Sequence, residues 1–147
     1  MRHTLDKYGQ EHKIIDQLVE IVIQVDRDMN ILWGNRAAAE AGNTTPGQLP
    51  GRACYGLWRR KTEICADCPV RQAMEEKRPI TATVALPDQR YWRVTGTPLF
   101  DENDIVTGAI ETALDITEQV EMEQELRRGR QELAHLVAHI PGVIVRL

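Results

Sequence analysis

The chain has 147 residues, 42% hydrophobic and 27% charged, with a formal net charge of −4. That length fits one globular domain plus a tail, and the acidic balance argues against a nucleic-acid-binding domain, which would ordinarily be basic. No apolar run approaches the roughly 18 residues of a transmembrane helix, and the polar start from Met1 to Glu11 lacks a signal core. The expected location is therefore cytoplasmic, with no direct membrane insertion in this segment.

From Lys7 to Glu20, charged residues mix with Ile14, Ile15 and Leu18. That spacing predicts a short amphipathic helix. Val19, Ile21, Ile23 and Val25 then alternate with polar residues, as in a strand. Asp26-Arg27-Asp28-Met29-Asn30 is turn chemistry, and Ile31-Leu32-Trp33 completes a hairpin. Asn35 is a good N-cap for the Ala-rich stretch Arg36-Ala37-Ala38-Ala39-Glu40. Gly42 to Gly51 is rich in Gly and Pro and reads as loop with at most a helical turn. Another short helix is expected from Cys54 to Arg60, then irregular chain, then a helix opened by Pro69 and ended by Arg78-Pro79.

Three strands follow. Ile80 to Leu86 and Tyr91 to Leu99 alternate bulky and polar residues, and Ile105 to Leu114 is the longest run. Pro87-Asp88-Gln89 and Asp101-Glu102-Asn103-Asp104 supply the turns between them. Hairpin connections favour an α+β fold: a five-stranded antiparallel sheet with short helices on one face. In the tail, Met122, Leu126, Gly129, Leu133, Leu136 and Ile140 fall on a heptad seam, which predicts a helix that pairs with a second copy. Acids gather at its start and Arg127, Arg128 and Arg130 follow, an order that suits the helix dipole. Gly129 at its centre weakens it by about 1 kcal/mol relative to Ala.

In this order, several short motifs resemble the PAS sensor family. Trp33 to Glu40 resembles the family's "x-x-N-x-A-A-x-x" segment, and Gly51-Arg52 its central "G-[RK]". Asp115-Ile116-Thr117-Glu118 is similar to the "D-I-T-E" junction between a PAS domain and its signalling helix. The resemblance implies an N-terminal helix or extension over 1–13, a PAS sensory domain over 14–117 and a coiled-coil signalling helix over 118–138. Residues 139–147 resemble the start of a further PAS-like domain. Asp115 and Glu118, three apart, could form a capping box that stiffens the corner. The implied function is a sensory and dimerisation module that relays a ligand, redox or metal state through Asp115, Ile116, Thr117 and Glu118. Its output domain, a kinase or cyclase and foremost a two-component histidine kinase, would lie outside this chain. A structural PAS spacer without ligand is the alternative, as is a small cysteine-based redox or metal-binding protein.

Cys54-x10-Cys65-x2-Cys68-Pro69 carries the most chemistry. Cys-x2-Cys supplies half a tetrahedral zinc site, and Cys-Pro spacing occurs in iron–sulfur proteins. Both need a fourth ligand, and Glu63, Asp67, water or a second subunit are the candidates. A Cys65–Cys68 disulfide, a redox thiol and plain free cysteines stay open beside metal. Arg52, Arg59, Arg60 and Lys61 flank the cluster, and Cys68 precedes a helix start. Both features would favour thiolate. Trp33, Trp58, Tyr91 and Trp92 are the candidate linings of a small-molecule pocket, with Arg93 and Thr95 on the same strand face as Tyr91.

The segment from Gly51 to Cys54 also resembles the photoreceptor subgroup's "G-R-N-C-R-F-L-Q". Ala53, Tyr55-Gly56 and Trp58 depart from it and argue against flavin. Haem would need a core histidine, and His3, His12, His135 and His139 all lie outside the expected core. No phosphate-cradling glycine loop, His-Glu-x-x-His or nucleophile–base pair is present, so no enzyme is expected.

Overall fold

The computed structural model describes residues 13–59, 63 and 65–142. These fall into two compact units, divided between Asp115 and Ile116.

In the first unit, β1 (Ile21–Asp26), β2 (Ile31–Gly34), β3 (Ile80–Ala85), β4 (Tyr91–Phe100) and β5 (Val106–Asp115) form one sheet. The order is β2-β1-β5-β4-β3, and every pairing is antiparallel. Between β2 and β3 come α1 (Arg36–Ala41), a 3-10 turn (Pro46–Gln48), α2 (Cys54–Leu57) and α3 (Pro69–Glu76). α1 packs on β1, while α3 packs on β3, β4 and β5. This is the α+β arrangement expected from the alternation of the strands.

Both acidic turns close the same way. Asp26 Oδ1 accepts the N–H groups of Asp28 and Asn30, each at 2.9 Å. Asp101 Oδ1 accepts those of Asn103 at 2.8 Å and Ile105 at 3.0 Å. An aspartate at the start of a turn satisfies backbone donors that the hairpin leaves over. Pro69 stands in the first turn of α3, and Lys77 ends that helix in a left-handed conformation, φ 56°.

The expected N-terminal helix is cut short. Lys13–Ile15 are helical and a turn follows; residues 7–12 lie outside the described residues. The reason is Asn35, a fully buried polar side chain. Its Nδ2 donates to the carbonyls of Ile15 (3.1 Å) and Glu20 (2.8 Å). Its Oδ1 accepts from Val22 N (3.1 Å) and Ala38 N (3.0 Å). Asp16 Oδ1 takes the N–H of Arg36 at 3.0 Å. These bonds draw the segment before β1 away from a helical course, and Val19 stands exposed instead of opening the strand.

The core lies between the sheet's inner face and the helices. Ile21, Ile23, Val25, Val84, Val94, Ala109 and Ala113 meet Met29, Ile31, Ala38, Leu49, Cys54 and Val70. One close approach fixes α3. A Cβ on Gly96 of β4 would lie 2.6 Å from Val70 Cα, so only glycine lets the helix start settle on the strand.

The second unit is α4, Thr117–Ala138. Its N-cap is Ile116, whose side chain can accept no hydrogen bond. The helix thus begins one residue later than the expected capping box requires. Asp115 instead ends β5 and pairs with Arg90 at 3.3 Å, while Glu118 supplies negative charge in the first turn. Met122, Leu126, Leu133, Leu136 and Ile140 are exposed along the heptad seam. Residues 143–147 of the expected further domain lie outside the described residues. Among the described residues no helix is long and apolar enough to cross a membrane.

Candidate ligand cavity

Against the inner face, at the end covered by α2 and α3, lies a cavity of about 90 Å³. Sheet residues Ile21, Val84, Val94 and Ala113 form its floor, and Val70 closes it from α3. Cys54, Tyr55, Trp58 and Arg59 line it from α2 and just beyond, Cys65 and Cys68 from the following segment, and Trp92 from β4.

The carboxyl of Glu111 is the unexpected part of this wall. Strand parity puts it there: in β5 Glu111 alternates with the buried Ala109 and Ala113. Its partners across the sheet are Ile23 on β1 and Gly96 on β4. A charged residue thus sits mid-strand on the inner face of the central strand. Among the described residues it has no hydrogen-bond or ion-pair partner. Burial pushes its carboxyl up to about 7, and the field of Arg59 pulls only weakly the other way. The Arg59 guanidinium is itself engaged, with Asp67 Oδ1 at 3.2 Å and with the Cys65 side chain.

Two more polar groups are unmet. Trp58 Nε1 and Trp92 Nε1 are buried without an acceptor. A buried N–H without a partner costs about 1–3 kcal/mol. Two unsatisfied donors on residues that line one cavity depart from the rule that buried polar groups find partners.

The structure places Cys54, Cys65, Cys68, Trp58 and Trp92 around one cavity. It does not bring Trp33 or Tyr91 there. Trp33 pairs with Gln24, between the inward Ile23 and Val25, and Tyr91 pairs with Ala85 beside the inward Val84 and Trp92. Both therefore stand on the opposite sheet face, with Arg93 and Thr95 continuing the parity of Tyr91. Alternation decides the matter: adjacent strand residues cannot share a face.

All three cysteines are free thiols. Among the described residues no group of three or more His, Cys, Asp or Glu side chains is placed to hold a metal ion. The expected lowering of thiol pKa does not occur at Cys54 or Cys68. Burial pushes both thiols up, and the charge of Glu111 adds to it. Of the flanking bases, Arg59 is held by Asp67, while Arg60 and Lys61 lie outside the described residues. A neutral thiol is a poor nucleophile.

A five-stranded antiparallel sheet with helices packed over one face and a small cavity between them is the architecture that the site is built on. The profile of the family described as PAS fold matches residues 15–121, and the chain belongs to that family. PAS domains are sensory modules. No functionally curated protein matches the chain.

Solved structures similar to it include an RNA-binding light-oxygen-voltage receptor, at TM-score 0.66 and 20% identity. That match covers 90% of this chain, which spans only 38% of the receptor. The PAS domain of BvgS from Bordetella pertussis matches at 0.56 and 20% identity, over 86% of this chain and 98% of that one. A sensory box sensor histidine kinase from Vibrio cholerae matches at 0.55 and 16%, over 79% and 97%. At these identities the likeness is one of fold.

Proposed function

We propose that this chain is the sensory module of a multidomain signalling protein, foremost a two-component sensor histidine kinase, and that it responds to a small molecule held in the cavity beside Glu111. The observation that carries this reading is the unpartnered carboxylate on the inner face of β5, within a cavity whose two indoles also lack acceptors. Such groups persist in a core when something other than the core meets their hydrogen-bonding capacity.

Glu111 also suits a relay. It stands on the strand that ends at Asp115, where the Asp115-Ile116-Thr117 junction leads into α4. Ligand contact at Glu111 would act on that strand directly. The exposed seam of α4 supports pairing with a second copy through a coiled coil, since leucines at heptad spacing exclude water best against an identical seam. Sedimentation at several protein concentrations reads that pairing. A redox role for the cysteines has less support, because burial disfavours the thiolates of Cys54 and Cys68.

The test is thermal unfolding with a low-molecular-weight bacterial metabolite extract. The chain should be stabilised in proportion to ligand occupancy. Ala113→Trp, which fills the cavity floor, should abolish the shift; Val84→Phe gives the same test from β3 if the first variant does not fold. An equal shift in wild-type and filled variants, or none in either, overturns the reading.

A further inference from the structure

We propose that the cavity takes a compact, uncharged ligand carrying an N–H donor beside a carbonyl or ring-nitrogen acceptor, with the donor on the Glu111 carboxyl and the acceptor served by the indole N–H groups of Trp58 and Trp92. This rests on the ligand-sensing reading above and names the chemistry of that site.

Size sets the first limit. A cavity of about 150 Å³ holds benzene, and this one measures about 90 Å³. A ring of about five or six non-hydrogen atoms is then the upper limit, and it enters only as the cavity widens toward that volume. The walls set the second. Ile21, Val70, Val84, Val94 and Ala113 offer only apolar contact, so the body of the ligand is apolar.

Charge sets the third. Ionised Glu111 repels an anion, and Arg59, the one guanidinium in the wall among the described residues, is already paired with Asp67. A cation would meet Glu111 favourably, but it would share the cavity with Arg59 and lose its hydration. A neutral donor avoids both penalties. The unmet groups then fix the polar edge of the ligand. The ionised carboxyl of Glu111 only accepts, while the two indoles can only donate. A neighbouring donor and acceptor on one small ring, as in a cyclic amide, answers both.

The proposal can be tested with the chain itself and a matched set of ring probes. Pyrrolidin-2-one carries both donor and acceptor. N-methylpyrrolidin-2-one and cyclopentanone lack the donor, and pyrrolidine is a cation at neutral pH. Titrations are followed by the indole N–H resonances of nitrogen-labelled tryptophans. Pyrrolidin-2-one should shift the Trp58 and Trp92 signals and leave Trp33 unmoved. The probes without a donor should bind at least about tenfold more weakly, the scale of one hydrogen bond to a charged group. Glu111→Leu should erase that difference, and Glu111→Gln, which keeps an acceptor, should retain part of it.

Equal binding of cyclopentanone, or tighter binding of pyrrolidine, overturns the proposed ligand class. So does the absence of any response at Trp58 and Trp92 to all four probes. The extract experiment separates the two levels. A metabolite shift that Ala113→Trp removes, together with failure of the ring probes, leaves the sensory reading standing and this ligand class refuted.

Discussion

The two ends of the inner core are built on opposite principles. Around β1 and β2, Ile23, Val25, Met29, Ile31 and Leu49 are wholly shielded, and the buried amide of Asn35 meets four partners. Around α2 and the start of α3 the core thins to a cavity that Glu111 lines, and the indole N–H groups of Trp58 and Trp92 find no acceptor. The closed end specifies the structure: it ties the segment before β1, the strand itself and the helix after β2 to one side chain. The open end keeps unspent hydrogen-bonding capacity. A sensory domain needs both, since a ligand can shift only what its scaffold does not already fix.

The largest expected effect lies at the closed end. Asn35→Ala removes four hydrogen bonds and leaves the N–H groups of Val22 and Ala38 without their acceptor. At roughly 1 kcal/mol for each bond, the loss is about 4 kcal/mol in denaturant unfolding. Asn35→Asp keeps an acceptor but loses the donors to Ile15 and Glu20, and should fall between the two. A loss below about 1 kcal/mol in the alanine variant would mean that Asn35 does not organise this end.

Much of the closed end was legible in the sequence, and much of the open end was not. Asn35 before an Ala-rich stretch, Asp26 and Asp101 opening turns, and Pro69 opening a helix are local chemistry, complete within a few residues. The other bonds of Asn35, to Ile15, Glu20 and Val22, join positions far apart in sequence, so its role as a hub was hidden. At the cavity, strand parity was the missing signal. The alternation that identifies β4 also separates Tyr91 from Trp92, so the two cannot line one pocket. Glu111 was readable in the same way, as a charge in step with Ala109 and Ala113. Which parity faces inward is set by pairing with β1 and β4, which a single strand's sequence does not contain.

At the open end, Glu111 makes stability depend on pH with a definite sign. Burial pushes its carboxyl up from the usual carboxylate range to about 7 in the folded chain. The folded state therefore binds more protons between those values, and its stability falls as pH rises through that window. The full difference is on the order of 3 kcal/mol. Glu111→Gln should leave stability almost unchanged at pH 4 and raise it by up to about 3 kcal/mol above pH 8, measured by urea unfolding across the range. A wild-type protein no less stable than Glu111→Gln at high pH would show that the carboxylate has a partner after all. The contrast between the two ends would then shrink.

The smallest effect is also the sharpest on the comparison. Trp92→Phe removes an indole N–H that has no acceptor, together with part of a buried ring. Relief of the unmet donor is worth about 1–3 kcal/mol, and the lost apolar contact costs a similar amount at about 0.8 kcal/mol per buried CH₂. The two should cancel to within about 1 kcal/mol. At the closed end, removal of a buried polar group costs several times more, because there every atom of the group has a partner. Near-neutrality at Trp92 beside a large loss at Asn35, measured in the same denaturant, would establish that the two ends differ in satisfaction and not merely in packing. A loss above about 3 kcal/mol at Trp92 would place an acceptor on its indole and remove one of the two donors assigned to the ligand.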